Sequence, residues 1–316
     1  MENGIQWWWG DWLVYGEGNY PEDYSQGLSE TLGITQESVR RLKWIAKVFP
    51  PYRRRYGVSW AHYAEVAAKE FTNDEQDEML EGAEETGESQ DDTRTRAKRK
   101  RKEKRLADLP DPPEYVGEFE LDSIQVSDIE LLDLPRASVD MIFTDPPYHE
   151  EYIDLYGKLA ELAAHVLKTG AYLMTYCGKM YLPTIINTIE ANGLEYIWTD
   201  AVFQPFSKSR ISKHNIFENW RPIVVFKKPG DSKVREWVQD VVRGTREKDF
   251  HDWQQDEDAP RQYIPAYTFE GGIVLDPFVG GGTTPYVCKE LGRHFLAFDK
   301  DVEAVKMSIA RLSGHK

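Results

Sequence analysis

Residues 145–148 read Asp-Pro-Pro-Tyr: a carboxylate, two imino acids and an aromatic ring in succession. They follow a short apolar run, 139–143, that fits a fully buried strand. Proline lacks a backbone N–H and fixes its own φ, so Pro146 and Pro147 can neither extend a sheet ladder nor open a hydrogen-bonded helical turn. The chain must leave the strand in a rigid extended turn. Asp145, the Pro146 carbonyl and the Tyr148 ring then lie together at a strand's C-terminal end, where open α/β sheets bind ligands. Asp145 and the Pro146 carbonyl can each accept a hydrogen from one amino group, and Tyr148 can stack on the flat ring that bears it. That is a site for an exocyclic amine on a heteroaromatic base. Taken alone, the same residues also fit a plain rigid turn with a capping acid.

A second group lies at 271–292, GGIVLDPFVGGGTTPYVCKELG. It reads as strand, glycine-rich turn and helix, with Asp276 at the strand end and Thr283 and Thr284 opening the helix. Gly280, Gly281 and Gly282 are expected to let the backbone approach a ligand and aim amides at it. Their spacing departs from the GxGxxG dinucleotide pattern. Asp299 closes the next strand, where an acid can bind both hydroxyls of a ribose. The ligand implied is an adenosine carrying a tail other than a pyrophosphate.

Both groups need a sheet to hold them. Seven short apolar runs read as strands: 124–126, 139–143, 172–176, 197–203, 223–226, 273–275 and 295–298. Helical patterns lie between them, among them an amphipathic stretch, 152–168, that Gly170 is expected to end. This alternation predicts a doubly wound α/β sheet.

Residues 1–85 read instead as a small all-α domain. Helices are expected over 21–32 and 35–49, the second capped by Thr35, with Val39, Leu42, Ala46 and Phe49 as its buried stripe. Ser59 is expected to cap a third helix, 59–71, and Asn73 with Gln76 to start a fourth. Trp7, Trp8, Trp9 and Trp12 suit a core better than a base-stacking surface. Two short helices around Gly33 outline a helix-turn-helix, which would offer Gln36, Ser38 and Arg40 to base edges and Arg41 to a phosphate. The competing reading is a helical module with a solvated basic face.

Acidic residues crowd 74–92 and basic ones 94–105. Such blocks suggest a charged linker, 86–113, or an exposed charged helix, with the basic block either paired to the acidic one or lying on phosphates. A catalytic domain is expected over 114–316. The net charge of −15 argues against a chain that coats nucleic acid with its whole surface, though a local basic face is compatible with it. Cys177 and Cys288 stand far apart and form no metal-spaced cluster, so no metal site is expected and a reduced, cytoplasmic protein is. No signal peptide or membrane span is expected, and a homodimer is allowed for.

LDPFVGGGTT, FDKD and TDPPY, in an order that puts Asp-Pro-Pro-Tyr first, resemble the motifs of S-adenosylmethionine-dependent amino-group DNA methyltransferases of the permuted class called beta. The resemblance covers residues 119–316. It implies a seven-stranded Rossmann-like sheet, a cofactor cradle of Asp276, Pro277, Phe278, Gly280, Gly282 and Thr283, Asp299 on the ribose, and Asp128 near the cofactor's adenine. Asp145, Pro146, Pro147 and Tyr148 would be catalytic, acting on adenine N6 in duplex DNA with the base flipped out. Asp145 resembles the adenine form more than the cytosine-N4 form. Two features depart from the family. Residues 248–264 stand where a His-Pro-x-Gln-Lys-Pro segment is common, with His251 and Gln254 as counterparts, and the span between Phe226 and Trp253 is short for a separate recognition domain. The N-terminal helices are therefore expected to share in recognition, with Lys208, Arg210, Lys213 and His214 of a basic loop on the target strand. Competing readings are methylation of cytosine N4, of RNA or of a protein amide, and a DNA-binding regulator that only senses cofactor.

Overall fold

The computed structural model describes residues 2–17, 19, 33–204, 210–211, 214–231, 234, 236–244 and 257–314. Two compact units divide the chain between Asp108 and Leu109.

The N-terminal unit holds helices α1 (Glu2–Gly16), α2 (Gln36–Val48), α3 (Trp60–Val66), α4 (Asn73–Thr86) and α5 (Gln90–Ala107). The helix expected at 21–32 lies outside the described residues. Thr35 caps α2, its Oγ1 accepting from the Ser38 amide at 3.1 Å. Val39, Ala46 and Phe49 are buried as the periodicity requires. A Cβ on Gly10 would lie 2.8 Å from that of Ala46, so α1 can cross α2 this closely only with glycine there. Trp7 packs edge-on against Trp60 and Tyr63, at 4.4 and 5.0 Å between ring centroids, as a core residue. Three local expectations need correction. Ser59 Oγ is bonded to His62 Nδ1 and caps nothing. Helix α3 ends at Val66. The capping box of α4 is Thr72 with Glu75.

Of the two expectations for 86–113, the charged linker is corrected and the charged helix is met. Most of that stretch is α5, which buries Thr93, Ala97 and Leu106. The basic block binds the acids around it: Arg94 to Glu65 at 3.0 Å, Lys100 to Glu78 at 2.7 Å and Lys104 to Glu75 at 2.6 Å. Lys104 foremost pulls the Glu75 carboxyl down to about 2. Each surface pair contributes little by itself. Their number, together with the buried stripe, offsets the poor apolar content of this helix.

The C-terminal unit is built on one eight-stranded sheet, β1 (Ser123–Val126), β2 (Val139–Thr144), β3 (Leu167–Tyr176), β4 (Glu195–Phe203), β7 (Trp220–Lys227), β8 (Val241–Arg243), β9 (Ile273–Asp276) and β10 (His294–Asp299). Strands β5 (Arg210–Ile211) and β6 (Ile216–Phe217) form a separate hairpin. The sheet order is β1-β10-β9-β2-β3-β7-β4-β8, and within it β7 runs antiparallel to both of its neighbours. All seven expected strands are present. The eighth, β8, adds a three-residue edge beside β4.

Side-chain alternation sends Ile142, Leu173 and Leu275 to one face and Met141, Phe143, Met174 and Val274 to the other. Helices α6 (Ile153–Val166) and α7 (Leu182–Ala191) cover the first face; α8 (Asp258–Tyr267), α9 (Thr283–Glu290) and α10 (Val302–Leu312) cover the second. Crossovers therefore leave β2 and β9 on opposite faces, and the sheet opens at their C-terminal ends. This is the switch point where such sheets bind ligands. Gly170 does not end α6, which stops at Val166. It lies within β3 at φ +75°, where a Cβ would sit 1.8 Å from the Asp231 carbonyl oxygen, so the crossing backbone demands glycine.

Asp200, on β4, is 3% exposed beneath α8, and its Oδ2 has no hydrogen-bond partner. Burial pushes its carboxyl up to about 7, with the Tyr263 hydroxyl opposing the shift. A carboxyl raised above its unfolded value of ~3.9 favours the folded state below that pH and loses this stabilisation as pH rises through 7. Asp200→Asn removes the titration. It is expected to be more stable than the parent at pH 8 by about 3 kcal/mol, a gap that narrows toward pH 5. Urea unfolding at both pH values checks this, and an equal gap at both would contradict it.

Candidate active site

Strand β2 ends at Thr144, and the two prolines turn the chain out as expected. Pro146 is buried and Pro147 exposed, while Asp145 and Tyr148 are half-buried. The Tyr148 hydroxyl donates to the Asp145 carboxylate. Burial first, and then the Asp145 charge, hold that phenol well above its ordinary value, so it remains a donor. An entering amino group thus meets a carboxylate already bonded to Tyr148. Gly178 backs the turn, and a Cβ there would be 3.2 Å from the Tyr148 carbonyl oxygen.

On the neighbouring strand, Asp276 is 4% exposed and accepts from Thr144 Oγ1 at 2.6 Å and from the Phe278 amide at 3.2 Å. That contact joins the two motifs directly across 132 residues of chain. Burial pushes the Asp276 carboxyl up to about 7, with the Thr144 hydroxyl foremost among the groups pulling it back. Asp299, at the end of β10, accepts from the Gly280 amide and from the Asp301 amide, each at 3.0 Å. Burial raises its carboxyl as well. Asp128 caps a short 3₁₀ turn, accepting from the Glu130 amide at 3.1 Å.

The glycine-rich turn differs from expectation in one respect. The amide of Gly280 donates to Asp299 and that of Gly282 to the Val279 carbonyl at 2.9 Å, so both amides hold the turn itself. Gly282, at φ +74°, begins α9, where a Cβ would meet Ser308 at 3.0 Å. Glycine there provides close packing against α10.

Two adjoining cavities, of about 250 and 560 Å³, share Asp145, Phe278, Gly280 and Asp299 as a common wall. The smaller adds Asp276 and Thr283; the larger adds Asp128, Pro277 and residues 146–148. Of the expected catalytic and cofactor residues, Gly282 alone lines neither and acts from behind. Acceptors dominate the cleft, and two of its carboxyls are raised by burial. Such a lining fits a ligand that brings a positive charge, hydroxyls and an amino group. Thr144, Tyr176 and Arg221 also line these cavities and were not singled out from sequence. Thr144 adjoins the motif, and its position before Asp145 was the available signal.

Gln36, Ser38, Arg40 and Arg41 belong to the N-terminal unit, where all four are exposed on α2. Ser38 Oγ also shares a 2.9 Å hydrogen bond with Thr35 Oγ1. Lys208, Lys213, His251 and Gln254 lie outside the described residues. Arg210 is described only as backbone of β5, and His214 is exposed. Among the described residues no helix is long and apolar enough to cross a membrane.

A family model described as DNA methylase, for N6 and N4 methyltransferases, matches residues 139–310. The type II methyltransferase M2.DpnII of Streptococcus pneumoniae is 26% identical over 222 residues, covering 55% of this chain and 82% of that protein. The transcriptional regulator NovE of Streptomyces niveus is 39% identical over 77 residues, 24% of this chain and 34% of its own length. Among solved structures, the cytosine-N4-specific PvuII DNA methyltransferase superposes with a TM-score of 0.54 at 18% identity, covering 65% of this chain and 90% of that one.

Proposed function

The chain belongs to the N6/N4 DNA methylase family, and on that basis we propose that it transfers a methyl group from S-adenosylmethionine to the N6 amino group of adenine in duplex DNA. The observation that carries this reading is the single cleft lined by Asp145, Asp276 and Asp299, drawn from three strands of one sheet. Bound there, S-adenosylmethionine supplies an electrophilic methyl carbon. The buried carboxylate of Asp276 would favour its positive charge, Asp299 would accept from its ribose hydroxyls, Asp128 would accept from its adenine amino group, and Phe278 would help to hold it.

The chain's own residues prepare the acceptor. An adenine amino group is a weak nucleophile because its lone pair is delocalised into the ring. Asp145 and the Pro146 carbonyl, accepting its two hydrogens, draw the nitrogen toward tetrahedral geometry and localise that lone pair. Tyr148 offers a ring face to the flipped base and yields its place on Asp145 to the amine. Catalysis of this kind is positioning and electrostatics, with no covalent intermediate on the protein. Cys177 fits a structural role, since burial holds its thiol up to about 12.

Recognition of the duplex falls to the exposed Gln36, Ser38, Arg40 and Arg41 of α2, in keeping with a relative named as a transcriptional regulator, and to Lys208, Arg210 and Lys213 on the target strand. Incubation with methyl-labelled S-adenosylmethionine and equal masses of duplex DNA, RNA and protein tests the reading. Label is expected in DNA, and label confined to RNA or protein would overturn it.

A further inference from the structure

The glycine-rich turn is held from behind by side chains of α10. Ser308, fully buried, donates from Oγ to the Gly280 carbonyl at 2.8 Å. Arg311, one helical turn on and 3% exposed, donates from Nη1 to the Gly281 carbonyl and to Thr283 Oγ1, both at 2.9 Å. Its Nη2 bonds Glu257, at the start of α8. Glu257 in turn pairs with Arg261 at 2.7 Å, and Arg261 with Glu290 at the end of α9 at 2.8 Å.

A guanidinium so fully buried is costly unless every contact is made with good geometry. Here its two terminal nitrogens, Nη1 and Nη2, serve the turn and the two helices that flank it. Gly280, Gly281 and Thr283 line the smaller cavity, and so does Pro260 of α8. Ser308 and Arg311 line neither cavity.

We propose that Ser308 and Arg311 are positioning residues of the cofactor site, setting the shape of the Gly280–Thr283 turn without touching the ligand. The inference rests on the cofactor reading above. Carbonyls bonded to α10 fix the peptide planes of the turn, so the cavity is formed before the ligand arrives. The ligand therefore binds without first ordering the loop.

Calorimetric titration of the full chain with S-adenosylmethionine tests this, because it reports affinity and binding-competent fraction separately. Arg311→Met, which keeps the bulk and removes the donors, is expected to weaken binding by about tenfold or more at full stoichiometry. Ser308→Ala is expected to weaken it about threefold to tenfold. The KM for cofactor should rise in step, with the KM for DNA unchanged. A purely structural role would lower the competent fraction and the melting temperature and leave the affinity of the folded fraction as it was. Affinities within about twofold of the parent in both variants would overturn the proposal. Should Arg311→Met not fold, Ser308→Ala decides alone. Failure of the parent chain itself to bind S-adenosylmethionine would overturn the cofactor reading and this inference with it, a result distinct from unchanged binding in the variants.

Discussion

Asp145→Ala is expected to slow methyl transfer by about a hundredfold to a thousandfold while leaving cofactor affinity within a few-fold of the parent. Asp145 is the one carboxylate in the Asp-Pro-Pro-Tyr turn, and it stands on the wall common to both cavities. Its loss removes the stronger of two acceptors that localise the amine lone pair, an interaction needed chiefly in the transition state. Such a loss lowers kcat more than binding. The cofactor cradle on β9, β10 and the glycine-rich turn stays intact, because its bonds run among Thr144, Asp276, Phe278, Gly280 and Asp299. Asp145→Asn keeps one carbonyl acceptor and should fall between. Single-turnover rates with saturating cofactor, alongside calorimetric affinities, separate the two effects. A variant that loses cofactor binding and chemistry equally would place Asp145 in the cradle and remove it from the catalytic step.

Asp299→Ala is expected to weaken cofactor binding by about a hundredfold, with a smaller fall in rate at saturating cofactor. Both of its carboxylate oxygens already accept backbone amides, from Gly280 and Asp301. Truncation costs the ribose its acceptor and leaves the half-buried Gly280 N–H without its partner, while the exposed Asp301 N–H turns to water. Asp299→Asn should be nearly as damaging, since its amide nitrogen would face one of those two amides, donor against donor. The contrast with Ser308→Ala is informative: that change loosens the turn, whereas this one also removes a ligand contact. Equal effects from the two would contradict the assignment of Asp299 to the ribose.

Much of this site was legible because its chemistry lies at strand ends. A strand of continuous apolar residues that stops at an acid announces both its burial and the position of that acid. Asp276 and Asp299 follow this pattern directly, while the run before Asp145 is broken by Asp140 and closes with Thr144. The sheet followed from the same runs, and β8 escaped because three residues between polar neighbours carry no periodic signal. The glycines suggested ligand-facing amides, whereas two of those amides hold the turn, a choice made by residues distant in sequence. Arg311 could not be found from sequence, since an arginine near a helix end is ordinarily solvated. Its burial depends on Glu257, brought to it by the tertiary fold. For a related reason the sequence of α5 suits a linker as well as an exposed charged helix. Its composition is that of a solvated chain, and the acids that neutralise it lie mainly on other helices.

The most direct measurement is mass spectrometry of nucleosides from unmethylated duplex DNA incubated with the chain and S-adenosylmethionine. Transfer to the adenine amino group predicts N6-methyladenine, formed in proportion to the enzyme and lost with Asp145→Ala. N4-methylcytosine would contradict the assignment of the base while keeping the amine chemistry. DNA left unmethylated by a chain that still binds the cofactor would contradict the central claim.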